Sequence, residues 1–222
     1  MKRINIAIDG PAGAGKSTVA KAVAQKLSIL YLDTGAMYRA LALKAIRAGI
    51  DPNDAKRVVP MLDETVVAVE NVDGTQHTLL DGEDVSGLIR TPEISKGASD
   101  ISAIPQVRIK LVEYQRGIAR DNDVVMEGRD MGSYVIPETK NKFYITASSY
   151  ERANRRLREL NAKGIAQDKS LEEIQRDIEQ RDYNDSHREF APLKRMPDAV
   201  FIDTTDLTIE QAVNMVIEKI EV

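Results

Sequence analysis

The sequence predicts an α/β fold in which a five-stranded parallel sheet is covered by helices. Three observations carry that expectation. Short β-branched runs alternate with longer stretches of helical periodicity, the rhythm of strands joined by crossover helices. The length, 222 residues, suits one α/β domain carrying insertions. Hydrophobic residues make up 42% and charged residues 30%, a globular balance that builds a core without staples and leaves little chain for disordered linkers.

In chain order, the first strand is the apolar run Ile4 to Ile8, and a helix follows from Lys16 to Leu27 after a glycine-rich loop. Leu30 to Leu32 reads as the second strand, with a helix from Ala36 to Ala48 behind it. Thr65 to Val69 and Thr75 to Leu80 then flank Asn71-Val72-Asp73-Gly74, residues that tolerate the backbone of a tight turn. A β-hairpin is therefore expected here, as an insert in an otherwise helical segment. Pro105 to Arg120 reads as helix, Val124 to Met126 as the third strand and Phe143 to Thr146 as the fourth. Helices from Tyr150 to Lys163 and Leu171 to Asp182 precede the last strand, Val200 to Ile202. In the final helix, Ile209 to Ile220, residues Ile209, Ala212, Val213, Val216 and Ile220 recur at helical spacing, a stripe for packing against the sheet.

Charge and composition remove several function classes. Lys plus Arg is 31 against 35 Asp plus Glu, a net −4, so no global cationic field for nucleic acid or anionic lipid exists and any anion site must be local. The absence of Cys removes disulfides, thiolate nucleophiles and Cys-ligated zinc. His77 and His187 stand in no ligand-spacing motif, and neither is given a role. The amino terminus is too short and interrupted for a signal peptide, and no apolar run approaches the ~20 residues of a membrane span. A cytoplasmic protein is expected. Between Glu151 and Arg195, Arg152, Arg155, Arg156, Arg158, Arg176, Arg181, Arg188 and Arg195 outnumber lysine eight to three. Most suit solvated helices laced with ion pairs, but the excess favours bidentate work on phosphate or carboxylate for some of them.

The strongest local signal is Gly10-Pro11-Ala12-Gly13-Ala14-Gly15-Lys16-Ser17-Thr18, which fits G-x-x-x-x-G-K-[ST] without mismatch between an apolar strand and a helix. The glycines let the loop wrap phosphate oxygens with its N–H groups, and the helix start adds its partial positive charge. Lys16 supplies a mobile charge at the β- and γ-phosphates, and Ser17 offers a hydroxyl to Mg²⁺. The loop implies a nucleoside triphosphate and leaves the acceptor open. No guanine-reading Asn-Lys-x-Asp segment is present. Val124-Val125-Met126-Glu127 partly matches the strand-plus-acid pattern of motor ATPases, so that class is not removed by this run alone.

Two further segments decide the acceptor: Leu32-Asp33-Thr34-Gly35-Ala36-Met37-Tyr38-Arg39 and Glu127-Gly128-Arg129-Asp130-Met131-Gly132. Both closely resemble signatures of the bacterial cytidylate kinases. The resemblance continues through Ile89-Arg90, Ala98-Ser99, Pro105-Gln106-Val107-Arg108, Ser148 to Arg156, Arg181 to Arg188, Ala191-Pro192-Leu193 and Ile202-Asp203-Thr204-Thr205. It implies a P-loop kinase, residues 1–222 as one domain, with an enlarged monophosphate-binding insert at residues 34–104 that contains the hairpin, and a helical lid at residues 148–164. The implied activity is ATP-dependent phosphorylation of CMP and dCMP with Mg²⁺, by a cytoplasmic monomer without nucleic-acid or membrane partners.

Residue by residue, the resemblance implies Arg39, Arg129 and Arg188 at the acceptor phosphate, Ser99, Arg108 and Asp130 around the base, and Arg181 and Asp185 at the sugar. Thr34 joins the CMP-binding set. Lys16, Arg129 and Arg188 are the implied catalytic cations, and residues 10–18 hold ATP. Arg152, Arg155, Arg156 and Arg158 are the lid candidates for the transferring group, with no choice among them. Asp33 has two readings, a metal or Lys16 partner and a helix cap. Glu127 and Ser133-Tyr134 depart from the Asp and the Gly-Thr-Val-Val that many family members carry, and bear on the relative affinity for CMP and dCMP. A kinase for UMP, AMP or shikimate, and a nucleotide-gated regulatory protein, are the competing readings. ADP release against an acceptor panel separates them.

Overall fold

The computed structural model describes residues 3–162, 164 and 169–221. Lys163, the expected end of one helix and part of the expected lid, lies outside them. The central sheet is formed by β1 (Asn5–Asp9), β2 (Leu30–Asp33), β6 (Val124–Gly128), β7 (Asn141–Thr146) and β8 (Val200–Asp203). Its order is β2-β6-β1-β7-β8 and every neighbouring pair is parallel. The five-stranded parallel sheet is thus as the sequence predicts.

Alternation along β1 explains how both faces are filled. Ile6 and Ile8 point to one face, where α1 (Lys16–Leu27) and α8 (Ile209–Ile217) contribute Val19, Val23, Val213 and Val216. Ala7 points to the other face, against Leu32, Met126 and, from α5 (Pro105–Asp121), Val112 and Ala119. Ile6, Ile8 and Met126 are fully buried, and each such side chain contributes roughly 1.5–3 kcal/mol relative to exposure.

A second core lies beside the edge strand β2. It joins α2 (Thr34–Arg47), α3 (Ala55–Asp63), α4 (Pro92–Ile101) and the start of α5 to an antiparallel sheet of β3 (Val67–Val72), β4 (Thr75–Leu80) and β5 (Glu83–Asp84). The hairpin is present, but pairing runs from Val67↔Leu80 to Val72↔Thr75 and its turn is only Asp73-Gly74. Positive φ at both residues, 52° and 76°, makes the two-residue turn whose twist suits paired strands.

Three elements differ from the sequence reading. Helix α2 begins at Thr34 because the Asp33 carboxylate accepts the Ala36 N–H at 3.0 Å, a cap that starts the helix directly off β2. Helix α6 (Ser149–Ala162) is followed by α7 (Leu171–His187), which continues past Asp182 and is started by a reciprocal Ser170–Glu173 capping box. After β6 the chain forms one π-turn, Met131–Val135, with the Val135 N–H donating to the Asp130 carbonyl and the Ile136 N–H to that of Met131.

Candidate active site

The carboxyl ends of β1, β2 and β6 meet at one place, where open parallel sheets receive ligands. Asp9 stands opposite Gly128, and Asp33 opposite Glu127. The phosphate loop leaves β1 there. Gly10 has φ 148°, and a Cβ on it would come within 1.9 Å of the Ile145 carbonyl oxygen of β7, so only glycine lets the loop lie this close to the sheet. The carbonyls of Pro11, Ala12 and Ala14 accept from Lys16 Nζ at 2.7 Å, Arg152 at 3.0 Å and Thr204 at 3.0 Å. These bonds hold the loop's shape through its carbonyl side. Thr18 is exposed in the first turn of α1, beyond the loop itself.

Lys16 is buried, and burial followed by the charges of Arg129 and Arg181 pushes its ammonium down to about 7. Ser17 Oγ donates to a Glu127 oxygen at 2.5 Å, and the Tyr31 hydroxyl lies 3.3 Å from the same oxygen. Glu127, the partial match noted at the end of its strand, is therefore beside the loop hydroxyl expected to meet Mg²⁺.

Opposite the loop is a cluster of guanidiniums. Arg129 Nε donates to Asp185 at 2.8 Å, and Asp185 is held below the usual carboxylate range against its burial by Arg129 and Arg181. Arg181 has a buried Nε without a hydrogen-bond partner among the described residues, and burial followed by the Arg129 charge lowers its guanidinium to about 10. Arg39 pairs with Asp33 at 2.7 Å, and Arg90 lies 3.7 Å from that carboxylate. Of the two readings of Asp33, the structure displays the cap, combined with the Arg39 ion pair. Gln76 from the hairpin fixes Asp33 as well, accepting its N–H at 2.7 Å and donating to its carbonyl at 3.2 Å.

A third group lies deeper. Asp130 makes a direct ion pair with Arg108, and its other oxygen is 3.6 Å from Arg188. Arg108 stacks over the Tyr38 ring at 5.3 Å and donates to the Ser102 carbonyl at 3.4 Å. The Ser102 hydroxyl donates to the Ser99 carbonyl at 2.8 Å, tying α4 to this group. Arg188 is held by the Ala191 carbonyl. The Thr34 hydroxyl donates to the Glu127 carbonyl at 2.8 Å, inside the wall of the site. Tyr134 meets Phe190 edge-on at 5.0 Å and lies under the Arg116 guanidinium.

The four arginines expected of a lid divide. Arg152 bridges the Ala12 carbonyl of the loop and Asp182 at 2.6 Å, and Arg155 bonds Glu151 and Thr204 beside Gly15. Arg156 and Arg158 are paired with Glu159 and Glu151 on the outer part of α6. Sequence reasoning passed over Asp9, Gln76, Ser102 and Tyr38. Each acts through a tertiary contact, and only the position of Asp9 at the strand end before the loop could have singled it out.

A family model described as cytidylate kinase matches residues 6–222. A cytidylate kinase of Caldicellulosiruptor saccharolyticus is 49% identical over 218 residues, covering 98% of this chain and 96% of that protein. One of Symbiobacterium thermophilum is 48% identical, covering 97% and 95%. Among solved structures, a shikimate kinase of Bacteroides thetaiotaomicron shares the fold with a TM-score of 0.50 at 17% identity, covering 99% of both chains. An uncharacterized protein of Eubacterium ventriosum does so at 0.54 and 15%, covering 99% and 98%.

Proposed function

This chain belongs to the cytidylate kinase family, and from that premise we propose that it transfers the γ-phosphoryl of ATP to the phosphate of CMP and dCMP, giving CDP and dCDP. The observation that carries the reading is the cation group made by buried Lys16 of the phosphate loop and the partly buried Arg129 and Arg181, with the Arg108–Asp130–Arg188 group next to it in the chain at Arg129-Asp130. Two anionic nucleotides approach only where cations screen them. Burial first, and then the repulsion among these cations in the free enzyme, makes Lys16 and Arg181 hold their protons less tightly.

Transfer is in line. A phosphate oxygen of the acceptor attacks the γ-phosphorus, the bond to the β-phosphate oxygen breaks, and ADP leaves. The chain supplies position and charge, with no protein nucleophile. Lys16 and the loop amides hold the donor phosphates. Arg39, Arg129 and Arg188 take the acceptor phosphate, with Arg181 and Asp185 at the sugar, where Asp185 also orients Arg129. Arg152 is the lid arginine best placed for the transferring group, because it already reaches the loop.

Asp130, Arg108 and Ser99 are assigned to the base. Cytosine offers an amino donor at position 4 with acceptors at N3 and O2, which suits a carboxylate beside a guanidinium. Ser17 and Glu127 are hard oxygen donors in contact, a set that fits Mg²⁺ held chiefly by phosphates and water. When bound there, the ion neutralises charge on the β- and γ-oxygens. We assign residues 34–104 to acceptor binding and residues 148–164 to closure over the donor. The reading is of a cytoplasmic monomer acting on free nucleotides. The test is ADP release with CMP, dCMP, UMP, AMP and shikimate as acceptors: CMP and dCMP are expected to lead, and a preference for any other overturns the reading.

A further inference from the structure

We propose that Asp9 is the positioning residue that locks the base-recognition segment to the phosphate loop, by capping the turn that Asp130 leaves uncapped. The inference rests on the assignment of Asp130 to the base. Asp9 ends β1 and directly precedes Gly10, the first residue of the phosphate loop. Its carboxylate is buried, and its two oxygens accept the N–H groups of Met131 and Gly132, each at 2.8 Å.

Those two groups open the π-turn, where helical backbone has no internal partner for its donors. The residue in the capping position is Asp130, a type that normally accepts such N–H groups itself. Here its side chain makes no capping bond and is turned to Arg108 and Arg188. The carboxylate from the neighbouring strand therefore releases the local one for ligand recognition. It also fixes the start of the π-turn to the residue from which the donor loop springs.

The surroundings argue that the charge of Asp9 is retained for this purpose. Burial, opposed by the Gly132 and Met131 bonds and reinforced by the Asp130 charge, raises Asp9 to about 6, so its ionised form is less favourable here than in water. A group kept only for packing has no need of that charge. Gly132 packs closely here: a Cβ on it would approach Lys142 Cγ to 3.1 Å and Asp9 Oδ2 to 3.4 Å. Asp9 touches no nucleotide in this account and acts through Asp130.

The test begins with the native enzyme. Failure to release ADP with CMP overturns the functional reading and leaves the Asp9 geometry as it is. With that activity in place, Asp9→Asn keeps the shape but turns an amide NH₂ toward one of the two N–H groups. The KM for CMP is expected to rise about tenfold or more, with the KM for ATP changed by less than about twofold. Amide hydrogen exchange at Met131 and Gly132 should accelerate alongside. A purely structural Asp9 would lower Tm and leave both KM values as they are in the folded variant, and that result overturns the proposal. If Asp9→Asn does not fold, Asp9→Ser carries the same expectations. Exchange of the two amides in the native protein is the second measurement: protection supports the cap, and exchange as fast as that of exposed loop amides refutes it.

Discussion

Replacing Asp130 by Asn takes one negative charge from between two guanidiniums and keeps the side chain's shape. Asp130 is 2% exposed and Arg108 1%, so solvent cannot take over the lost partner. At 3.6 Å, the Arg188 separation, a unit charge pair is worth about 4.6 kcal/mol at an effective dielectric of ~20. Breaking one partner of a buried pair typically costs about 3–5 kcal/mol, which for a chain of this size lowers Tm by about 6–20 °C. Set against a usual stability of about 5–15 kcal/mol, a folded variant is expected near 20 °C. The specificity effect is larger. On the proposed reading the carboxylate accepts from the cytosine N4 amino group, where Asn can present NH₂. A charge-assisted bond then becomes a donor facing a donor, a loss of about 3–4 kcal/mol that lowers kcat/KM for CMP by about 10²–10³. Uracil has an acceptor at that position, so UMP loses little or gains. Sites built on such bonds discriminate by about 10⁴, and the CMP to UMP ratio should narrow at least about tenfold. The assay is ADP release with each pyrimidine at saturating ATP, on protein shown folded by circular dichroism. An unchanged ratio would refute the reasoning and reduce Asp130 to a counter-ion for Arg108 and Arg188.

Three other expectations follow from the same geometry. Lys16→Ala should lower kcat by about 10²-fold or more, as loss of one transition-state cation does, without loss of Tm because the buried ammonium is unfavourable in the free enzyme; near-normal turnover in the folded variant refutes this. Arg129→Lys keeps the charge but loses the fork that meets Asp185 and, on the proposed reading, the acceptor, so KM for CMP should rise far more than KM for ATP, and equal effects would place Arg129 elsewhere. The unfolded chain holds the Lys16 proton up to its ordinary 10.5 and the folded free enzyme gives it up near 7, so stability from this group rises with pH between those values. ATP phosphates favour the charged ammonium, and binding at pH 8 should take up about one proton, read by calorimetry in buffers of different ionisation enthalpy; zero uptake refutes it.

What the sequence disclosed was whatever is contiguous along the chain. The loop from Gly10 to Thr18, and the Gly128-Arg129-Asp130 run, carry their chemistry in neighbouring residues, and the core strands carry theirs in unbroken apolar runs. The pairings that make the site span long separations, 56 residues between Arg129 and Asp185 and 22 between Arg108 and Asp130, and no local pattern specifies them. The end of α7 illustrates the cost of reading locally. Tyr183-Asn184-Asp185-Ser186 has the composition of a turn, yet the helix runs to His187, because Asp185 is drawn into the site by Arg129 and Arg181. Tertiary charge pairing there outweighs a weak local preference. The π-turn was equally hidden, since its cap comes from a different strand.

The pairings also explain how one fold tolerates so many buried guanidiniums before any nucleotide arrives. Arg129 rests on Asp185, Arg39 on Asp33, Arg152 on Asp182, and Arg108 with Arg188 on Asp130. Each carboxylate occupies its guanidinium in place of a phosphate. A buried cation left wholly unpaired would cost several kcal/mol, and α2, α5, α6 and the segment after β6 together bring enough of them to the site to threaten the fold. Among the described residues Lys16 and Arg181 have no carboxylate ion pair, and burial together with neighbouring positive charge lowers the proton affinity of both. A phosphate group carries more charge and more acceptor oxygens than a carboxylate, so on the proposed reading it displaces the internal partners and relieves the two strained cations in the same step. Binding energy for the substrates is thereby largest where the free enzyme is least satisfied, between the phosphate loop and Arg129, which is where the phosphoryl group would cross.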